Sequence, residues 1–277
     1  MFTSWYLEWR KVFKAHLRIK QQCDEQAIRD AKEASLSPEF VELVRYFVAV
    51  EGVTPIMARY LRLTPSGWSK HIAKFLVKWN AEEINHARAL MAACGECAEG
   101  SSLPTVDQAY RRAKSLSRPY LLVKVTTYDV LSSYALGFFF LPVHMTFGAL
   151  SETITRFGYW VLEEHSDCPV FKNLVRKIVV DESGHLATYL RAARLLCRFA
   201  PIRIFVDLLV RKVYSPVGVT IMPKGEPGKI VRALFLGKEE RLKSELKRKF
   251  DGLLSDKTIK VIVGKTIALG QVKAQTA

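Results

Sequence analysis

The sequence predicts an all-α protein built as a helical bundle. Three observations carry that expectation. Apolar residues recur at three- and four-residue spacing through most of the chain, which is the signature of one buried helix face. Loop signals such as Thr64-Pro65-Ser66-Gly67 and Asp167-Cys168-Pro169 separate the periodic segments. The 277 residues, 49% hydrophobic and 25% charged, suffice for a substantial core.

Taken in order, the first helix is expected over 3–34. Its opening, "MFTSWYLEWRKVFKAHLRIK", is broken by Glu8, Arg10 and Lys11 and shows no small-residue cleavage site, so it does not read as a signal peptide. Phe2, Trp5, Trp9 and Phe13 fall near one face, which suits a helix docked on the body or one lying in a membrane interface; docking is the favoured reading. Ser37-Pro38 starts the next helix, 38–62, with Pro at its first position. Helices follow over 67–94, where Ser66 is placed to cap, and 105–117, 120–164, 168–199, 201–213 and 238–253. Residues 215–228 hold six Pro and Gly and are expected to be irregular, and "TIKVIVGKTIAL" reads as a strand or a packed tail. The expected organisation is a bundle with its N-terminal helix over 1–213 and a basic C-terminal extension over 214–277.

The uncharged run 130–151 is long enough to span a bilayer. It also holds Pro142 and His144, and the core helix of a bundle reads the same way. Five scattered cysteines do not form a disulfide framework and fit a reducing, cytoplasmic setting; Cys94-Gly-Glu-Cys97 lacks the second pair a zinc site needs. Lys and Arg number 42 against 27 Asp and Glu, a net charge of +15. Such a field attracts nucleic acid, an anionic membrane surface or an acidic protein.

Four helices interrupt their apolar stripes with ligand-type residues. In 67–94 the stripe Ile72, Phe75, Leu76, Trp79, Leu90, Met91 is filled at its gap by Glu83 and His86. In 168–199 the stripe Phe171, Leu174, Val175, Ile178, Tyr189, Ala193 is filled by Glu182 and His185. Glu51 falls on the stripe of 38–62, and Glu152 on that of the helix ending near 164. Residues three apart share a helix face, and an ionised carboxylate on a buried face is costly unless it is paired or binds a metal. The Glu-to-Glu intervals, 51 to 83 and 152 to 182, suit antiparallel helix pairs facing each other at mid-length. One Glu on each of two helices and Glu-x-x-His on each of two more is the ferritin-like di-iron carboxylate arrangement. The expected fold is thus a ferritin-like four-helix bundle with extra N- and C-terminal helices, and the expected cofactor is two Fe ions, with O2 as co-substrate.

Within 40–195 the chain resembles the soluble acyl-carrier-protein desaturases. The resemblance rests on "EGVTP" (Glu51–Pro55), "WNAEEINH" (Trp79–His86) and "DESGH" (Asp181–His185). It implies a non-haem di-iron oxidoreductase that desaturates or hydroxylates an acyl chain on an acidic carrier protein, fed by a ferredoxin-like electron donor. It also implies that Asp181 orients the ligand His86; the residue-level alternative is an exposed helix position. A further stretch, "LEEHSD", resembles one that follows the family's ligand on the third helix, and counting back from it points near Gly148 rather than Glu152, a shift of one turn, with His144 as a spare candidate. A homodimer and a peripheral membrane contact stay open as further associations. Two other functions compete: iron or peroxide handling, as in ferritin-like and rubrerythrin-like proteins, and hydroxylation of RNA, which the charge suits but no aromatic RNA-reading motif supports.

Overall fold

The computed structural model describes residues 2–96, 103–216, 218–219, 222–223 and 225–271, and all regular structure among them is helical. The region expected as one helix over 3–34 divides into α1 (Phe2–Leu17) and α2 (Glu25–Ala31). The break has two causes. The Asp181 carboxylate accepts the backbone N–H groups of Gln22 and Cys23 at 2.8 and 2.9 Å, and Asp24 caps α2 by accepting from the N–H groups of Gln26 and Ala27. α1 docks on the body: Trp9 and Phe13 are buried, and the Phe13 ring meets Phe75 edge-on at 5.7 Å. The side chains of Phe2 and Trp5 lie outside the described residues.

The helix expected over 38–62 is two, α3 (Pro38–Gly52) and α4 (Thr54–Leu63). Pro55 offers no N–H to the Glu51 carbonyl, and its ring crowds that oxygen. Thr54 Oγ1 donates to it instead at 2.7 Å. The helix therefore breaks at Val53, two residues after Glu51. α5 (Lys70–Ala93) runs unbroken, and α6 (Val106–Leu116) starts on a capping box between Thr105 and Gln108. Cys97 lies outside the described residues, so the Cys94–Cys97 pairing is not described; Cys94 closes α5.

The helix expected over 120–164 is divided at Gly137, whose φ of 53° is a conformation that favours glycine. It yields α7 (Pro119–Leu136) and α8 (Phe140–His165). Val130–His165, taken together, is long and apolar enough to cross a bilayer, as a bundle's core helix also is. α9 (Pro169–Leu196) returns along α8 after a three-residue connection, and α10 (Ala200–Val213) follows. Short connections make neighbouring helices antiparallel, and α3, α5, α8 and α9 form the four-helix core.

The C-terminal stretch departs most from expectation. α11 (Glu226–Leu234) begins inside the segment expected to be irregular. After α12 (Glu239–Phe250), the stretch expected as a strand or tail is α13 (Asp256–Gln271). Its β-branched residues fall at helical spacing: Ile259, Ile262, Val263, Thr266 and Ile267 are all buried. Residues beyond 213 share the bundle's core. Phe235 packs on Phe157 with ring centroids 5.6 Å apart, and Arg156 of α8 pairs with Glu245 of α12 at 2.8 Å.

The contact of α3 with α6 sets the position of Glu51. A Cβ on Gly52 would stand 2.5 Å from the Ala113 Cβ. Gly52→Ala is expected to cost about 1–3 kcal/mol through overpacking. Ala113→Gly in the same chain is expected to recover part of that loss, read as a coupling in a denaturant-unfolding double-mutant cycle.

Candidate metal centre

Each core helix delivers its ligand-type residues to one place. Glu51 stands at the end of α3, Glu83 and His86 at mid-length of α5, Glu152 at mid-length of α8, and Glu182 and His185 at mid-length of α9. All six are at most 6% exposed. They form two overlapping groups: Glu51, Glu83, His86 and Glu182, and Glu83, Glu152, Glu182 and His185, with the ligand atoms of each group within 4.8 Å of one another. Glu83 and Glu182 belong to both.

The two shared carboxylates are split evenly between the groups. Glu83 sets one oxygen 3.4 Å from His86 Nδ1 and the other 3.1 Å from His185 Nδ1. Glu182 does the same, at 3.2 and 3.8 Å. Glu51 and Glu152 close the two ends, 4.0 Å from His86 Nδ1 and 3.9 Å from His185 Nδ1. The two groups could each hold a metal ion, with Glu83 and Glu182 common to both.

The residues fit such a pair by a test independent of the motif. Both oxygens of Glu182, Glu83 Oε2 and the Nδ1 atoms of His86 and His185 are buried with no hydrogen-bond partner. Buried polar atoms are as a rule satisfied, and these five orphaned atoms belong to the residues of the two groups. Oxygen and imidazole donors in this ratio suit iron or another transition metal.

The outward-facing atoms, by contrast, are held. His86 Nε2 lies 3.3 Å from Asp181 Oδ2, and His185 Nε2 lies 3.0 Å from Glu82 Oε2. With Nε2–H given to a carboxylate, each ring, once neutral, would present its Nδ1 lone pair inward. Asp181 is 3% exposed and also ties down the α1–α2 loop, so it is not an exposed position. The Tyr159 hydroxyl donates to Glu51 at 2.7 Å, and Trp79 Nε1–H donates to Glu152 at 3.1 Å.

Position 148 does not contribute. A Cβ on Gly148 would overlap the Tyr189 ring at 2.4 Å; Glu152, one turn later, enters the cluster. His144 is 2.8 Å from Ser66 Oγ, and burial lowers its pKa to about 4. It is a core histidine outside both groups.

Glu82 and His16 were missed by the sequence reading. Glu82 Oε2 sits between His185 and His16, 3.1 Å from His16 Nε2, and its other oxygen pairs with Lys78. Burial opposes the charge on Glu82, but the two imidazoles and Lys78 hold its carboxyl well below the usual range. A signal existed: both motifs read acid-Glu-x-x-His, Glu82–His86 and Asp181–His185, and His16 lies on the helical face of Trp9 and Phe13.

The electrostatics divide the carboxylates into two kinds. Burial and the neighbouring Glu83 charge raise Glu51 well above the ordinary range, and burial with Glu182 does the same to Glu152. Burial also opposes the charge on Glu83 and Glu182, yet the adjacent Glu51 or Glu152 carboxyl and the imidazoles lower both. Burial works against His86 and His185 as cations, but the surrounding carboxylates raise both well above the ordinary value.

The geometry defines an all-α bundle whose buried carboxylate–histidine clusters can bind metal, compatible with a ferritin-like di-iron fold. Compared with protein-family models, curated proteins and solved structures, the chain matches none of them, so this class rests on the site itself.

Because Glu182 serves both groups, Glu182→Ala is expected to abolish binding of both ions, whereas Glu51→Ala is expected to weaken one; metal analysis after anaerobic loading reads the difference. Asp181→Ala is expected to lower metal affinity by about 10–100-fold. Loading must displace the protons held on His86 and His185. Binding is therefore expected to release protons at neutral pH and to weaken as pH falls, measurable by indicator titration in dilute buffer.

Proposed function

We propose that this chain is a non-haem di-iron oxidoreductase that uses O2 to desaturate or hydroxylate an acyl chain presented by an acidic carrier protein, with a ferredoxin-like electron donor. The observation that carries the reading is the double sharing of Glu83 and Glu182 between two Glu/His groups whose inward atoms lack protein partners. A pair of irons held there would supply the electrons and open coordination positions that dioxygen chemistry at an unactivated C–H bond requires.

The chain's own residues do the rest. Asp181 and Glu82 fix the ring orientations, and Tyr159 and Trp79 fix the terminal carboxylates. The Phe47 ring packs 4.6 Å from that of Tyr159 and screens the Glu51 side from water. A small apolar cavity beside Phe47 is lined by Val50, Ile154, Ile230, Val231 and Phe235. The acyl substrate and the desaturase comparison rest on the three quoted motifs, and the acidic carrier and donor rest on the net charge of +15.

The test is a single turnover. Iron-loaded, chemically reduced protein is mixed with O2 and an acyl carrier protein bearing a long saturated chain. The expected result is an acyl product that has lost two hydrogens or gained one oxygen, absent in Glu182→Ala. Oxygen consumption unchanged by the acyl carrier, with ferric mineral accumulating, would replace this reading with iron handling. A modified RNA as the only product would replace it with nucleic-acid hydroxylation.

A further inference from the structure

α7 is out of place for a helix of a bundle that is complete as it stands. Its sequence, PYLLVKVTTYDVLSSYAL, is predominantly apolar with no separate polar face, and Lys124 and Asp129 are its only charges. A helix apolar on every side is normally buried. Yet among the described side chains of α7 only Ser133 is buried, while Tyr128, Leu131 and Tyr134 are 62%, 63% and 53% exposed.

The exposed face continues past α7. Phe138 and Phe139, in the turn after it, are 66% and 45% exposed. The Phe139 ring meets Phe205 of α10 at 5.2 Å, and α10 adds Ile204 and Leu208, also exposed. On the other side the Tyr134 hydroxyl donates to the Leu63 carbonyl at 2.7 Å, and its ring lies 6.0 Å from Trp68, itself 72% exposed. The strip thus runs across one end of the bundle, where α4 and α9 finish and α5 and α8 begin.

Its border is basic. The segments 54–70, 119–140 and 198–214 that build it hold eight Lys and Arg against two acids, Asp129 and Asp207. Asp207 already accepts from the N–H and hydroxyl of Ser255. Arg59, Arg62, Arg198 and Lys212 are exposed.

The geometry points to this strip, Trp68–Tyr134–Leu131–Phe138 with its basic border, as a docking surface for an anionic lipid bilayer. Apolar side chains enter the headgroup boundary, Tyr and Trp rings suit the interface, and Lys and Arg meet the lipid charge. A second copy of this chain fits less well, because it would bring two basic borders together. The inference stands on the strip alone and does not need the proposed reaction.

The test is sedimentation of full-length, metal-loaded protein with vesicles of phosphatidylcholine, with and without phosphatidylglycerol. Binding is expected to the anionic vesicles, reduced by added salt and about tenfold or more weaker in Leu131→Glu and Phe138→Glu, each removing an apolar contact from the surface. Val106→Glu, an exposed apolar site near the opposite end of α5, is expected to bind as the parent does. Circular dichroism and metal content, unchanged in all three variants, separate lost docking from lost folding or a lost metal site. Absence of binding to either vesicle overturns the inference, as does binding that survives both strip variants. Light scattering that shows a dimer abolished by Leu131→Glu, without vesicle binding, would assign the strip to a second copy. An acyl carrier protein that binds through the strip while vesicles do not would assign it to that protein.

Discussion

Everything near the centre of this bundle depends on one electrostatic constraint: four carboxylates share one dry core with two imidazoles. Moving a single carboxylate from water to a medium of low dielectric costs on the order of 20 kcal/mol before relaxation. Four such groups cannot all be ionised there without compensating cations. Two divalent ions would balance the charge of the four carboxylates, with the two imidazoles neutral. Without them proton uptake is favoured at Glu51, Glu152 and both rings, whose pKa values are raised, and opposed at Glu83 and Glu182, whose values are lowered. The two carboxylates common to both groups are thus the ones whose pKa values are lowered.

That constraint organises the surroundings. Asp181 spends one carboxylate on three tasks, taking the Gln22 and Cys23 N–H groups and facing His86 Nε2. The turn between α1 and α2 is therefore tied through Asp181 to His86. Glu82 joins α1 to α9 through His16 and His185. The N-terminal helix is consequently not an ornament docked by Trp9 and Phe13 alone; its His16 completes the outer shell of polar contacts. The bend at Pro55 belongs to the same design, since it frees the Glu51 carbonyl for Thr54 while the Glu51 side chain turns to Tyr159.

What the sequence made legible follows from periodicity. Glu83, His86, Glu182 and His185 stand at stripe positions that burial would give to Leu or Phe, and a helix of fixed pitch converts that spacing into a shared face. The bundle and its six inward residues could be read for this reason. Two of the helix breaks could not, because they depend on a partner distant in sequence or on a single backbone angle: Asp181 for the α1–α2 turn, and Gly137 at positive φ for α7 and α8. The α3–α4 break, by contrast, had a local signal in Pro55. α13 was obscured by composition, since Val and Ile favour strands by type while their spacing here is helical. Glu82 was hidden by its neighbour: adjacent acids point 100° apart on a helix, so one ligand assignment drew attention from the other.

The position of Glu152 shows how packing, not motif, fixes a ligand register. The resemblance to acyl carrier desaturases points near 148, but that position abuts Tyr189, whose ring leaves no room for any Cβ. Tyr189 in turn packs against Phe75 at 5.0 Å and stands 6.5 Å from Trp79, whose indole N–H holds Glu152. Moving the carboxylate back one turn would require removing an aromatic that three helices share and would leave the Trp79 donor without its acceptor. Glu152 is therefore set by the same aromatic layer that closes the core above the cluster. A substitution at Gly148, though it touches no ligand, would press on that layer and be felt at Glu152.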